Sequence, residues 1–254
     1  MDLLKYQLYD DVVAFSTKRG GGEGNYDTFN ITHYCGDDES HVLLCRKELC
    51  AELHIKYENL ILPHQTHEVN IIDIKEEFFK LSAEERSQKL YAIDAIITSM
   101  RQVCIGVSTA DCVPILLYDF KNRIVAAIHA GWRGTVQRIV EKTISYMQTQ
   151  YSTSPQSIVA VIGPSIGVDA FEVGEEVYDA FLTQGFDMTR IAKRYEKWHI
   201  DLWEANRIQL LESGVLPENI QLSSVCTYTN HKEFFSARRL GIKSGRIFNG
   251  IKMK

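Results

Sequence analysis

The sequence predicts a single α/β domain in which a mixed β-sheet is flanked by helices. Several apolar runs of strand length are continuous rather than alternating, as in strands that are covered on both faces. Segments of helical composition are interspersed with these runs, and neither an internal repeat nor a Pro/Ser/Gly-rich linker divides the chain. We therefore expect residues 1–254 to form one layered domain.

The composition, with 45% hydrophobic and 24% charged residues, is that of a soluble globular protein. A chain of this length can build a core without disulfides, so we expect its six cysteines to be reduced in a cytoplasmic protein. There is no basic region followed by an apolar run at the N-terminus, and no apolar stretch is long enough to span a bilayer. A net charge of −5 gives no general attraction to nucleic acid or to anionic lipid, so any anion site must be a local cluster.

Hydrophobic periodicity and turn residues predict the elements along the chain. Up to residue 89 they are a strand over Val12–Thr17, a loop at Gly20, Gly21, Gly22 and Gly24, a helix over residues 42–53, strands over residues 60–62 and 69–74, and a solvated insertion of helical composition over residues 75–89. Four apolar runs then begin at Asp94, Val103, Val113 and Arg123. Beyond them we expect a helix over residues 138–150, a strand from Ser157, and helices over Glu175–Thr183 and over residues 202–211, with Asp201 capping the last.

Two residues with metal-binding chemistry follow buried strands. Cys112 comes after the run VCIGVST, and His129 closes the run RIVAAIH. If those two strands are neighbours, the thiolate and the imidazole converge, and this donor pair favours zinc or copper over magnesium or calcium. The motif LPHQTHEV offers a third donor, His64 or His67, and only one of them should face the cleft because residues three apart in an extended segment point to opposite faces. From spacing alone, a buried thiol beside a core histidine is the favoured explanation of the pair, since the short-range spacing of a zinc motif is missing.

Eight motifs, in order, resemble the bacterial laccase-domain family: FSTKRGGG, LPHQTHEV, DAIITS, TADCVPILLYD, HAGWRGT, GPSIGVDAFEVG, DLWEANRIQLLESGV and CTYTNHKEFFSARR. The resemblance covers residues 15 to about 245, and TADC with HAGWRGT is its most specific part. That family was named for polyphenol oxidase activity and is now regarded as zinc-dependent purine nucleoside phosphorylase and adenosine deaminase. Its fold is a single α/β domain of layered sheets and helices, similar to that of cytotoxic necrotizing factor.

The resemblance implies a zinc site and a set of substrates. It assigns His67, Cys112 and His129 as the metal ligands and leaves His64 as a neighbour. The implied reactions are phosphorolysis of adenosine, inosine and methylthioadenosine to the base and the (methylthio)ribose 1-phosphate, together with deamination of adenosine. Three protein ligands leave a fourth position open for a water whose pKa falls toward ~7, which suits attack at C6 of adenine. Copper is expected to be able to replace zinc in vitro, and the sequence does not decide between the two metals in vivo.

This sequence departs from the family pattern at three places. Lys18 stands where the family usually has Arg, and Thr32 replaces the usual glycine. The cysteines that often precede the FEVG motif are missing over Val168–Ala170, so they cannot be essential ligands here. The first two changes bear on substrate contacts and not on the metal site.

Phosphorolysis needs an anion site, and the motif HAGWRGT predicts one. Gly131 and Gly134 permit a tight turn from strand into helix, whose N-terminal amides are free, and Arg133 adds a fixed positive fork. The residues expected to complete the phosphate and substrate site are Lys18, Arg19, Arg238 and Arg239.

Several other polar residues have two interpretations. Asp111 is a ligand-orienting carboxylate or proton relay, or else a strand-end cap. Asp94 positions a site group or caps a loop, and the structural role is favoured slightly. Asn30 and Ser236 are candidates for sugar or phosphate contacts, with loop bracing as the alternative. Trp132 stacks on a purine or packs on the adjacent helix.

Three rival functions remain open. Cys112 and His129 would also suit a cysteine hydrolase or amidase, and family members have been linked to editing of peptidoglycan precursors; such a triad needs Asn, Asp or Gln near the histidine. Copper-dependent phenol oxidation requires many histidines in paired motifs. Of the eight histidines in this sequence, only His64 and His67 lie close together. A metal-stabilised binding protein would normally close its zinc with four protein ligands. The sequence predicts neither the preferred nucleoside nor the oligomeric state.

Overall fold

The computed structural model describes residues 1–22, 24–26 and 29–254. Within these residues the chain forms fourteen strands and nine α-helices, which confirms the predicted α/β class. The strands are β1 (Leu3–Tyr6), β2 (Val12–Thr17), β3 (Leu60–Ile61), β4 (Ile71–Ile74), β5 (Ala95–Thr98), β6 (Cys104–Thr109), β7 (Val113–Asp119), β8 (Ile124–Ala130), β9 (Ile158–Ile162), β10 (Glu172–Val173), β11 (Ala192–Arg194), β12 (Trp198–Ile200), β13 (Ile220–Leu222) and β14 (Ile247–Met253). The helices are α1 (Glu39–Glu52), α2 (Glu76–Phe79), α3 (Ala83–Lys89), α4 (Trp132–Val136), α5 (Ile139–Tyr151), α6 (Glu175–Thr183), α7 (Met188–Ile191), α8 (Leu202–Glu212) and α9 (Ala237–Leu240).

Two mixed sheets and one small antiparallel sheet carry these strands. The five-stranded sheet has the order β1-β2-β14-β6-β3, with one parallel pair, β3 and β6. The six-stranded sheet has the order β13-β9-β7-β8-β5-β4 and is parallel only at its two edges. The predicted mixed pairing is confirmed, but it is divided between two sheets, because a continuous apolar run shows that a strand is covered and not which strand it pairs with.

The two large sheets pack face to face between helices. Val107 and Ile251 of one sheet and Leu116 and Val161 of the other share a buried core cluster. Leu117, the neighbour of Leu116, enters a second cluster with α5, α6 and α8, as the period of two along a strand requires. Helix α1 covers the outer face of the five-stranded sheet. Strands of both sheets are therefore covered on both faces, which explains their continuous apolar runs.

Capping residues set the ends of two predicted helices. Helix α1 begins at Glu39, three residues before the predicted start, because the Asp38 carboxylate accepts hydrogen bonds from the amides of Ser40 and His41. Helix α8 begins where the sequence predicted, and Asp201 accepts from the Glu204 amide at 2.9 Å. The acceptor satisfies an amide that has no partner within the helix.

The segment of residues 75–89 contains two short helices, α2 and α3. Phe78 of α2 is buried in the cluster between the two sheets. Helix α3 has no buried residue and begins with a capping box formed by Ser82 and Glu85. The segment therefore contributes Phe78 to the core, with Phe79 and Leu81 partly buried against the same cluster, while α3 lies at the surface. Among the described residues, no helix combines the length and apolar character needed to cross a membrane.

Candidate metal centre

Three elements bring two imidazoles and one thiol together. His67 lies in the loop between β3 and β4, Cys112 in the turn between β6 and β7, and His129 near the end of β8. Their ligand atoms all lie within 4.8 Å of one another, and His67 Nε2 is 3.8 Å from Cys112 Sγ. His129 is buried, Cys112 is half-buried and His67 is exposed. The cluster therefore has a closed side in the protein and an open side toward solvent.

Strand pairing brings Cys112 to His129. The strand before Cys112, β6, belongs to the five-stranded sheet, whereas His129 lies on β8 of the six-stranded sheet. The two strands are neighbours across the interface between the sheets and are not paired within one sheet. The pairing that matters is that of β7 with β8, in which Val113 lies opposite Ala130 and Pro114 opposite His129. Cys112 immediately precedes β7 and so sits beside the end of β8.

A turn directs His67, and not His64, toward the cluster. His67 has a φ of 66°, in the left-handed region. The ring of His64 stacks on Tyr34 instead, with 4.2 Å between the ring centroids. One of the two histidines faces the site, as the sequence predicted, although the reason is a turn at His67 and not a fully extended segment.

Asp94 connects two of the ligand-bearing segments. Its carboxylate is fully buried, and Oδ1 lies 2.7 Å from Nδ1 of His129. The same carboxylate accepts hydrogen bonds from the amides of Thr66, His67 and Glu68 at 3.3, 3.1 and 2.9 Å. Fixing Nδ1 of His129 leaves Nε2 available to the site. The sequence favoured a structural role for Asp94, and the structure gives it both roles.

The electrostatics of the cluster favour an ionised thiol. Burial disfavours the thiolate, but the charge of His129 and hydrogen bonds from His129 and His67 outweigh it and lower the pKa of Cys112 to about 6. Burial likewise disfavours the imidazolium, but the Cys112 thiolate and the Asp94 carboxylate raise the pKa of His129 to about 9. Near neutral pH the metal-free pair is therefore a thiolate and an imidazolium. The thiolate is the form of cysteine that binds zinc.

We expect alkylation of Cys112 in the metal-free protein to follow this ionisation. Because only the thiolate reacts, the rate with iodoacetamide should rise with pH to a plateau, with its midpoint near pH 6. A free cysteine has its midpoint near ~8.5. Mass spectrometry of the Cys112 peptide measures the rate from about pH 4 to about pH 10, a range that covers both midpoints. A midpoint in the ordinary thiol range would contradict the prediction, and added zinc should suppress the reaction.

The absence of a side chain at Gly131 leaves room for the three candidate ligands to lie close together. A Cβ atom at this position would lie 3.0 Å from His67 Cδ2, 3.2 Å from Cys112 Sγ and 3.7 Å from His129 Cε1. Its φ of −63° is open to any residue, so the turn itself does not require glycine. The sequence analysis explained this glycine by a tight turn. The structure shows that it is required for space beside the three side chains.

Replacing Gly131 with alanine is expected to weaken zinc binding by about 10- to 100-fold, the range found when ligand orientation is disturbed. The added methyl group pushes on the His67 ring and on the Cys112 sulfur. Gly134→Ala in α4 is the matched control, because a Cβ there meets only ordinary contacts of 3.5 Å or more. Competition with a chromogenic zinc chelator measures both affinities. Equal affinities for the two variants would contradict the assignment.

Most residues predicted to contact phosphate or substrate are engaged with the protein itself. Arg133 is exposed, and its guanidinium lies 4.3 Å from the Trp132 ring centroid, two residues after Gly131. Lys18 forms salt bridges with Asp2 and Glu233 at 3.1 and 2.8 Å. Arg239 is exposed and lies over the Tyr228 ring. Arg133 therefore lies two residues after Gly131 in the sequence, and its side chain is accessible.

Three other predicted site residues brace loops. Arg19 is buried and donates to the carbonyls of Gly24 and His231. Asn30 is buried and donates to Asp37 at 2.8 Å. Ser236 is buried and caps α9 by accepting from the Arg239 amide at 3.2 Å. Their side chains hold the glycine-rich loop, the segment before α1 and the segment around α9 in place.

Asp111 ties a basic segment to the cluster. Its carboxylate accepts from the Thr227 hydroxyl and from the Arg238 amide, each at 2.7 Å, and not from His67 or His129. Its φ of 88° makes the sharp turn between β6 and β7. Asp111 therefore holds the turn that carries Cys112 and connects it to the backbone of Arg238.

Comparisons with known proteins show what the whole chain is similar to. The family model described as multi-copper polyphenol oxidoreductase laccase matches residues 12–254. A purine nucleoside phosphorylase of Bacteroides thetaiotaomicron is 50% identical over 248 residues, which cover 96% of this chain and 92% of that protein. Adenosine deaminase RL5 of an unknown prokaryotic organism is 44% identical, with 96% and 95% covered. The crystal structure of Bacillus licheniformis hypothetical protein YfiH has a TM-score of 0.91 at 29% identity, with 99% and 96% covered.

Proposed function

Since this chain belongs to the multi-copper polyphenol oxidoreductase laccase family, we propose that it is a zinc-dependent purine nucleoside phosphorylase that also deaminates adenosine. Its proposed substrates are adenosine, inosine and methylthioadenosine, which yield the base and the (methylthio)ribose 1-phosphate. Relatives of 50% and 44% identity are named purine nucleoside phosphorylase and adenosine deaminase, so the chain is an enzyme. Neither name includes a metal, and the preference for zinc rests on the donor set.

The observation that carries the proposal is the convergence of His67, Cys112 and His129 with one side open to solvent. Two imidazoles and a thiolate suit zinc, and magnesium and calcium prefer oxygen donors. Three protein ligands are typical of a catalytic zinc, and four of a structural one. Bound zinc supplies a Lewis acid that activates water and polarises the substrate.

The protein's own residues orient this centre and, we propose, hold the substrate. Asp94 fixes the tautomer and orientation of His129, and the missing side chain of Gly131 leaves room beside the thiolate. The phosphate is assigned to Arg133, because it follows Gly131 closely and its guanidinium is exposed. Arg239, which is exposed, is the further proposed substrate contact. Lys18, Arg19, Asn30 and Ser236 are proposed to support the substrate site through the segments that they hold in place. Asp111 is proposed to serve catalysis by positioning Cys112.

Arg133→Ala is expected to raise the KM for phosphate in phosphorolysis by about tenfold or more, which corresponds to at least ~1.4 kcal/mol of lost binding. Deamination of adenosine, which uses no phosphate, should be unchanged. Lys142→Ala, an exposed cation on α5, is the control and should alter neither reaction. A parallel loss of both activities would show that Arg133 acts through the structure of the site and not through phosphate.

Product analysis tests the proposed function directly. The zinc-loaded protein is incubated with adenosine, with and without inorganic phosphate, and the products are separated by chromatography. Adenine that forms only with phosphate supports phosphorolysis, and inosine that forms without phosphate supports deamination. The same incubation with inosine and methylthioadenosine defines the substrate range. The absence of both products would overturn the proposal while leaving the metal centre in place.

A cysteine hydrolase is the second candidate, because Asp94, His129 and Cys112 are aligned like a catalytic triad. His129 bonds Asp94 through Nδ1, and the low pKa of Cys112 is that of an activated nucleophile. His67, 3.8 Å from the same sulfur, has no role in such a triad and favours the metal site. Metal analysis that finds no stoichiometric zinc, together with inactivation by alkylation of Cys112, would favour the hydrolase. Copper-dependent phenol oxidation, the family's earlier assignment, is tested by loading with copper.

We propose that the enzyme works in the cytoplasm as one domain over residues 1–254. A reducing compartment keeps Cys112 available as a thiolate ligand, and no disulfide joins the six cysteines, all of which lie in the described residues. The single family model that matches residues 12–254 supports one domain. Purine nucleosides and phosphate are the proposed partners, with no role for nucleic acid or membranes.

A further inference from the structure

A second candidate binding site lies in an open cavity of about 950 Å³, lined by residues other than those of the metal centre. The loop after α1, residues 53–56, lines the cavity together with Lys252 of β14 and Gln102. Phe79 of α2 and Arg86 of α3 also line it, so the segment of residues 75–89 borders this cavity. The proposed function assigns no role to these residues.

The cavity has a positive charge in a chain whose net charge is −5. Its lining cations are Lys5, Lys56, Arg86, Lys252 and Lys254, and its lining carboxylates are Glu52 and Glu58. Within the described ranges, Lys5 alone of these cations forms a salt bridge, to Glu52 at 3.2 Å. The remaining cations bind neutral acceptors or face solvent. This is a local basic cluster of the kind that an anion site requires in an acidic protein.

Lys252 is the most informative of these cations. It is only 5% exposed, and its ammonium donates to the Leu53 carbonyl at 2.7 Å and to Gln102 Oε1 at 3.1 Å. Those bonds use two of its three protons, and the side chain lines the cavity. A buried ammonium without a carboxylate is costly, and the carbonyl end of α1 offsets only part of that cost. Burial accordingly lowers the pKa of Lys252.

We propose that this cavity binds a phosphate monoester, with the phosphate beside Lys252 and Lys56 and the organic part against Leu53, Ile55 and Phe79. A phosphate monoester carries about −1.5 to −2 charges near neutral pH, which matches the surplus of positive charge. Its oxygens accept the free proton of Lys252 and that of the exposed Lys56. The apolar side chains in the same lining favour an ester over inorganic phosphate.

Calorimetry with phenyl phosphate as the probe tests the proposal. We expect phenyl phosphate to bind more tightly than inorganic phosphate, and Lys56→Gln to weaken its binding by about tenfold, or ~1.4 kcal/mol. Lys252→Met should abolish binding, and circular dichroism shows whether that variant is folded. If it is not, the exposed Lys56 variant decides the matter alone. Lys142→Gln on α5 is the control and should bind like the native protein.

The cavity and the metal centre are told apart by one further variant. Binding that survives Arg133→Ala but is weakened by Lys56→Gln supports the cavity. Binding that ignores Lys56→Gln and is lost in Arg133→Ala belongs to the metal centre and overturns the proposal, as does no binding at all. Phosphorolysis should be unchanged in Lys56→Gln. The calorimetric measurement does not depend on that activity, so the binding result can be interpreted even if the proposed enzyme activity fails.

Discussion

Replacing Cys112 with serine is expected to remove stoichiometric zinc and to lower both phosphorolysis and deamination by more than the roughly 10- to 100-fold loss typical of a ligand's hydrogen-bond partner. The serine hydroxyl does not ionise near neutral pH, so the site loses its only anionic donor. Two imidazoles then remain, one of them exposed. Elemental analysis after dialysis gives the zinc content, and kcat/KM for adenosine with and without phosphate gives both activities.

Cys226→Ser is the matched control for this experiment. Cys226 is also half-buried, but its sulfur accepts from the Gly167 amide at 3.2 Å and is not part of the three-residue cluster. We expect this variant to keep its zinc and both activities. A Cys112→Ser protein that retained full zinc while losing activity would identify the sulfur as a nucleophile. That outcome would replace the phosphorylase with the cysteine hydrolase.

Replacing Asp94 with asparagine is expected to weaken zinc binding by about 10- to 100-fold and to destabilise the fold by roughly 1–3 kcal/mol. An amide offers one acceptor oxygen where the carboxylate offers two. It cannot serve His129 Nδ1 and the amides of residues 66–68 together. Two ligands therefore lose their orientation at once. Zinc competition and urea unfolding measure the two effects separately.

Asp119→Asn separates the two effects of the Asp94 variant. Asp119 is another fully buried carboxylate, and it accepts from the Lys121 and Asn122 amides and from the Ser157 hydroxyl. Its substitution should cost stability in the same way without changing zinc affinity. If both aspartate variants lowered zinc affinity equally, the effect of Asp94 would be general destabilisation and not positioning of His129.

Local patterns of the sequence were sufficient for β5 to β8 and for several helices, but they did not predict β14, which pairs with both β2 and β6. The apolar runs from Asp94, Val103, Val113 and Arg123 became β5 to β8, all buried. Such runs record burial and strand period, which are properties of neighbouring residues. They do not record pairing partners. The division of these strands between two sheets, with β6 in one and β7 in the other, therefore required the tertiary structure.

For the candidate site, too, one part was predicted from the sequence and another part required the tertiary structure. The sequence by itself, through its resemblance to the family, predicted the set His67, Cys112 and His129 as metal ligands and Arg133 as the phosphate residue. Only the tertiary structure decided that Asp94 orients His129 and holds the loop of His67, and that Gly131 is needed for space. It also showed Arg19, Asn30 and Ser236 bracing loops. The physical reason is that a residue type fixes what a side chain can bond, whereas long-range strand pairing and loop packing fix which partner comes within bonding distance.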